Sequence, residues 1–418
     1  MKSVIAASVL ALMTSTSAFA TDVDADIGQF AMGIQKALNK IEDATKVTGA
    51  SSQEAVNAAN LVSKLNAGDL TAIYQKSKVK QIAVNKIESP RFEKVDVQEV
   101  IQEATNVANS VSIGDAENLA GSGADALEKI KQSSFGDQFA MNKIEDADLA
   151  QTVEQTAVNA ANLVTLAVDA GDVDEIMQKS FGEQTAINKI DSGWNWSWYW
   201  GKYRNFAVIN GVEQAATNVA NSISLGEVDS GNFNQLLDDA MQFAFVDQYA
   251  SNEIKVAYTA YNVSQEAVNA TNLITSDAAD LGEVTQTAFG DQDALNTIEF
   301  KKWIDADALT PSTQSATNVI NSVSAPEIRT TLAQFSAVDQ KARNVADSVG
   351  DSSNVWDLNQ TAVNAANLVS IGNIGGDLEL DQVAFVSQNA SNLIDANGMV
   401  DKVVQSATNV ANSVGDLN

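Results

Sequence analysis

The chain has 418 residues with 25 Lys and Arg against 54 Asp and Glu, a formal charge of −29, and neither Cys nor His. Such an acidic chain repels nucleic acid and anionic lipid. The missing residue types exclude disulfides, thiolate metal sites and every His-dependent catalytic arrangement.

Residues 1–20 read as a secretory signal peptide. Lys2 is the charged start, Val4 to Met13 the apolar stretch, and Ser17-Ala18-Phe19-Ala20 a small-residue cleavage site. The apolar run is too short for a membrane anchor. The mature chain is therefore expected to begin at Thr21 and to be secreted, extracellular or displayed at the cell surface. No later stretch approaches roughly 18 consecutive apolar residues, so no transmembrane segment is expected.

Residues 21–418 read as one tandem-repeat domain built from two motifs. Type B begins with Gln29, five spacers, Gln35, Ala37, Asn39 and Ile41. Its relatives carry the second Gln and the Asn at Gln81 and Asn85, Gln138 and Asn142, Gln184 and Asn188, Gln248 and Asn252, Gln292 and Asn296, Gln340 and Asn344, and Gln388 and Asn392. Type A begins with Gln53, Ala55, Asn57, Asn60 and Val62. It recurs from Gln102 with Asn106, Gln155 with Asn159, Gln214 with Asn218, Gln265 with Asn269, Gln314 with Asn318, Gln360 with Asn364, and Gln405 with Asn409. The two types alternate strictly, one motif every 25 residues or so, in the range of solenoid repeats. Type A alternates again between an Ala-Val-Asn form, as at Gln53, and an Ala-Thr-Asn form, as at Gln102.

Periodicity decides the secondary structure. In type B the repeated residues fall at every second position from Gln35 to Ile41, while those between vary. A strand sends the repeated side chains to one face, whereas a helix scatters residues two apart around its axis. Type B is therefore a strand. Type A is more ambiguous, because Ala favours helix; its Asn-x-x-Asn break also fits a turn between two short strands. An inward Gln-Ala-Asn face requires paired amides. Identical residues about 4.8 Å apart on successive strands supply the pairing as an Asn/Gln ladder. The expected fold is all-β, a β-solenoid of about sixteen rungs on the order of 75 Å long. An α-helical repeat array with solvated amides is the alternative.

The type-B pattern, Gln29-x5-Gln35-x-Ala37-x-Asn39-x-Ile41 and its relatives, resembles the repeat of curlin, the subunit of bacterial curli fibres. The leading spacing, the Gln and the Asn match; Ala stands where the curlin repeat has Gly, the Asn comes one residue early, and the closing Gln is absent. The resemblance implies an extracellular cross-β subunit that builds fibres or matrix, with an outer-membrane export or nucleator protein as partner.

Three features interrupt the pattern. The step from Gln184 to Gln214 takes 30 residues where its relatives take 17 to 22, and its surplus over 17 is the length of Trp194 to Phe206, which holds Trp194, Trp196, Trp198, Tyr199, Trp200 and Tyr203. Aromatics beside Lys202 and Arg204 suit polysaccharide stacking, and equally a loop that covers a solenoid edge. Acidic stretches such as Gly171 to Glu175 and Asp22 to Asp26 could ligate Ca²⁺, although a solvated face explains them more simply; no other cofactor is implied. The Phe135-Gly136, Phe181-Gly182 and Phe289-Gly290 pairs read as a buried Phe before a bend.

No catalytic motif is present, so an enzyme is not expected. The expected function is a structural subunit of an extracellular amyloid-like fibre or biofilm matrix, with a second copy of itself as partner. A monomeric secreted adhesin using the Trp-rich loop is the alternative.

Overall fold

The computed structural model describes residues 25–63, 70–90, 93–113, 127–166, 173–192, 207–226, 236–277, 280–305, 311–350, 353–374 and 378–416. The expected signal peptide and the Trp194 to Phe206 segment lie outside them. The described residues form parallel strands and no helix, so the helical array is overturned. The alternation of inward and outward positions explains why: the segment Gln138–Ile144 buries every second residue, which a helical period would not do.

Each motif lies in extended strand, some strands carrying two motifs and one motif spanning two strands, and like stacks on like. The type-B strands are Ala25–Ile41, Leu70–Ile87, Leu127–Phe135 with Gln138–Ile144, Val173–Asp191, the first part of Leu236–Ser276, Asp280–Asp305, the second part of Ser312–Ser348, and Glu379–Asp395. The type-A strands are Ser51–Ser63, Val95–Ile113, Ala147–Leu166, Val208–Leu225, the second part of Leu236–Ser276, the first part of Ser312–Ser348, Leu358–Ile374 and Val404–Asp416. Short strands Lys46–Val47, Asn354–Trp356 and Val400–Asp401 edge the bends. Gln35 pairs with Gln81 rather than with Gln53, and Gln53 pairs with Gln102. The sixteen motifs therefore stand two abreast in eight layers, not in sixteen rungs, and the rod is on the order of 40 Å long at about 4.8 Å per layer. The cause is register: type B has amides at its first Gln, second Gln and Asn, type A at one Gln and two Asn, so only motifs of the same type align all three.

The Asn-x-x-Asn segment is not a turn. Each type-A strand runs straight through it, and the second Asn takes a left-handed backbone conformation, with φ 53° at Asn60 and 55° at Asn162. Asn tolerates this region better than other side-chain-bearing residues, so the position is a local kink that keeps Asn60 aimed inward.

The cross-section has three zones. The centre holds the amides and a column of buried alanines from both sheets, including Ala83, Ala104 and Ala140. At the bend from type B to type A, Ile87, Ile144, Ile190 and Ile254 pack with Val100, Val153, Val212 and Val263. At the opposite bend Ile73, Ile130 and Ile176 pack with Val111, Val164 and Ile223. Apolar ends thus seal the polar centre from water, which strengthens every hydrogen bond within it.

Phe135, Phe181 and Phe289 are not in this core. They stand half-buried on the outer face of the type-B sheet, where Phe135 and Phe181 stack at 4.9 Å and the column continues through Phe243, Phe289, Phe335 and Phe385. Ring contacts between layers, in register from Phe135 to Phe181 and diagonal beyond, hold the column rather than burial. The glycine after Phe181 adopts φ 134°, and a Cβ there would lie 2.5 Å from the Gly136 carbonyl; glycine permits the two layers to approach.

Candidate functional site: the amide ladders and their ends

Six columns of amides run through the centre. Three are glutamine columns, starting at Gln29, Gln35 and Gln53, and three are asparagine columns, starting at Asn39, Asn57 and Asn60. Seven side-chain hydrogen bonds link each column from first layer to last. The residues proposed from sequence are thus brought together. The first Gln of type B and the second Asn of type A make ladders as good as theirs. Both were visible as fixed positions, Gln29 and Asn60 among them.

The columns have direction. In the asparagine columns every member short of the last layer donates towards the C-terminal end, as Asn85 does to Asn142 at 2.9 Å. Every glutamine donates towards the N-terminal end, as Gln138 does to Gln81 at 2.8 Å. The other amide N–H commonly crosses the core to a backbone carbonyl of the facing sheet: Gln138 to Ala160, Asn142 to Thr156, Asn162 to Lys179. Type-B amides reach the type-A strand of their own layer, whereas Asn57 and Asn60 reach Ile82 and Lys76 of the next type-B strand. The sheets are therefore offset like a staircase, each type-A strand lying between two type-B strands.

At the two ends the columns run out. Gln35, Ala37 and Asn39 of the first layer are only partly buried, and Gln405, Ala407 and Asn409 of the last are exposed, against essentially complete burial of Gln138, Ala140 and Asn142. Of the seventeen exposed large apolar side chains among the described residues, thirteen lie in the first or last layer, including Phe30, Met32, Ile34, Phe385 and Leu393. Exposed apolar surface is thus concentrated at the two ends of the described layers.

Electrostatics follow the same stacking. Lys40 bridges to Glu88 at 2.6 Å, Lys86 bridges to Glu88 and, at 2.9 Å, to Glu145, and Lys143 bridges to Glu145. Hydrogen bonds from Lys40 and Lys86 hold the Glu88 carboxyl down at about 2. Asp239 is the opposite case. Burial raises its carboxyl, helped by Glu283 and Glu175, its register partners in the adjoining layers.

Sixteen residues separate Asp191 from Val208, but only three separate their register partners Lys255 and Thr259. The surplus of thirteen equals the span from Trp194 to Phe206, whose own placement lies outside the described residues. Of the acidic stretches, Glu175 pairs with Lys131 at 3.0 Å, and no group of three or more Asp or Glu able to hold a metal occurs among the described residues. Among those residues no helix is long and apolar enough to cross a membrane.

Fold and ladders together define a class: a two-sheet parallel β-solenoid with a hydrogen-bonded amide centre. No known protein family, curated protein or solved structure matches the chain.

Proposed function

We propose that the chain is a secreted structural subunit of an extracellular fibre or biofilm matrix, assembled by stacking copies end on end. The observation that carries this reading is the state of the ends. Six hydrogen-bonded columns stop at each, together with most of the exposed apolar surface. An uncovered sheet end is a template for further strands, and natural proteins that stay monomeric blunt it. Stacking would extend the ladders and bury the apolar side chains with no change of fold.

The charge of −29 opposes association at low ionic strength, so salt should accelerate it. Incubating the chain without residues 1–20, with and without preformed seeds, tests the proposal by thioflavin fluorescence and electron microscopy. Seeded growth of unbranched fibres, faster at higher salt, is expected. A protein that stays monomeric at high concentration with seeds and salt present overturns the reading in favour of a monomeric adhesin.

A further inference from the structure

Resting on the fibre reading, we infer that the joint between copies is polar and fixed in register: the C-terminal face of one copy accepts only the N-terminal face of the next. Three independent features of the ends carry this.

The first is the direction of the columns. Because asparagines donate forward and glutamines backward, the last layer ends in forward-pointing donors on Asn392, Asn409 and Asn412 and in acceptors on Gln382, Gln388 and Gln405. The first layer ends in acceptors on Asn39, Asn57 and Asn60 and in donors on Gln29, Gln35 and Gln53. Donor meets acceptor in all six columns only when last layer meets first. The terminal asparagines show the missing partner. With no layer ahead among the described residues, Asn392, Asn409 and Asn412 turn back to the carbonyls of Gln360, Gln388 and Gln382 at 3.3, 3.4 and 3.3 Å. The corresponding forward bonds Asn344 to Asn392, Asn364 to Asn409 and Asn367 to Asn412 are 2.8, 2.9 and 2.8 Å. A reversed contact of first layer on first layer fails this match: an antiparallel register that sets Gln29 opposite Asn39 sets Gln35 opposite Gly33, which has no side chain.

The second is the staircase. Asn60 and Asn367 donate to Lys76 and Val383, the residues directly after the first Gln of the next type-B strand. The final type-A strand, Val404–Asp416, has no type-B strand ahead of it among the described residues, and the N-terminal end presents one, Ala25–Ile41. In the joint, Asn412 takes the carbonyl of Phe30 of the next copy as its acceptor.

The third is a two-layer period on the type-A sheet. Val56, Ala58 and Leu61 pair with Thr105, Val107 and Ser110, which pair with Val158, Ala160 and Leu163. The alternation continues without a break to Thr408, Val410 and Ser413. At the second and third of these positions a large side chain in one layer thus sits over a small one in the next, while Val and Thr of similar size alternate at the first. The eight layers begin in one form and end in the other, so a last-to-first joint continues the alternation.

The test uses two variants of the chain without residues 1–20. One carries Gln35→Lys and Asn39→Lys, which block the N-terminal face; the other carries Asn409→Lys and Asn412→Lys, which block the C-terminal face. Each alone should sediment as a monomer. Their mixture should give a species of doubled mass and nothing larger, because one intact face of each kind remains. A dimer formed by either variant alone overturns the polar joint, as does a mixture that stays monomeric while the unmodified chain forms fibres. An unmodified chain that forms neither fibre nor dimer overturns the fibre reading itself, and the joint with it. Circular dichroism monitors folding. Should the lysines perturb it, Gln35→Glu against Asn409→Asp with Asn412→Asp removes ladder donors at nearly constant shape and repeats the comparison.

Discussion

Asn142 donates one amide N–H to Oδ1 of Asn188 in the next layer at 2.9 Å and the other to the carbonyl of Thr156 in the facing sheet at 2.7 Å. One side chain thus ties its layer both along the rod and across it. It also accepts from Asn85 at 2.9 Å, so its removal orphans groups on three other residues. Asn142→Lys should destabilise the protein by about 3 kcal/mol or more, since each buried unpaired group costs about 1–3 kcal/mol and the ammonium adds its own desolvation. Phe139→Lys, on the outward face of the same strand, should cost less than about 1 kcal/mol. Urea unfolding of both variants checks this; a larger effect at Phe139 would reverse the assignment of faces.

The alanine column makes a separate prediction. Ala140 is fully buried between the sheets with the columns of Gln138 and Asn142 on either side. Added methyl groups must push the sheets apart and lengthen the crossing bonds to Ala160 and Thr156. Ala140→Val should therefore destabilise by about 1–3 kcal/mol, although valine favours strands in general. An unchanged unfolding midpoint would show that the sheets have room to spare.

How far the sequence revealed this arrangement depends on which residues are considered. The spacing of Gln138, Ala140 and Asn142 made both the strand and its inward face legible, because a period of two has one structural meaning. The stacking of Gln35 on Gln81 was less apparent, since neighbouring motifs look interchangeable until all three amide positions of each type are superposed. The kink at Asn60 was not distinguishable from the turn the spacing also allows, because the same left-handed preference serves both. Phe135, Phe181 and Phe289 read as core because aromatic side chains usually bury themselves; here strand parity overrides that tendency. The pairing of Lys40 with Glu88 was not legible at all, as it joins residues 48 positions apart that meet only once the layers are in register.

The left-handed asparagine combines two roles that substitution can separate. Asn162 sits at φ 55°, receives a bond from Asn109 and donates to Asn221 and to the Lys179 carbonyl. Asn162→Gly keeps the backbone conformation and loses the amide; Asn162→Ala loses both. Alanine should therefore be the more damaging by about 1 kcal/mol, as read from the denaturant midpoints. Equal effects would mean that the backbone conformation carries no cost there.

Acid should act on Asp239 in the sense opposite to its action on Glu88. Burial raises the folded-state value of Asp239 above its ordinary value, so the folded protein holds that proton more tightly than the unfolded chain. The contribution of Asp239 to stability accordingly falls as pH rises from the unfolded value through the folded one, and stays low above it. Asp239→Asn removes that loss and should raise the melting midpoint at pH 7 but not at pH 3. Glu88, held down at about 2, contributes stability that is present above its unfolded value and lost as pH falls towards 2; solvent screening at this half-buried surface site keeps the term small. A melting midpoint of Asp239→Asn below that of the unmodified protein at pH 7 would contradict the account of this column.

The connection between Asp191 and Val208 can be shortened without disturbing the layers. Its flanks are anchored: Ser192 donates from its backbone to the Lys255 carbonyl at 3.1 Å, and Tyr258 donates to the Ala207 carbonyl at 2.9 Å. Layer five crosses the same bend with only the three residues between Lys255 and Thr259, so the geometry tolerates a connection of that length. Deleting Trp194 to Phe206 should leave the β signal and seeded fibre growth intact and change stability by no more than about 1 kcal/mol, the shorter loop lowering closure entropy if anything. The deletion should abolish retention on immobilised polysaccharide if the aromatics form a binding surface. Retention that survives while the deleted protein loses solubility would assign the loop to covering the edge of the rod, because removal of a cover exposes apolar surface without removing a ligand contact.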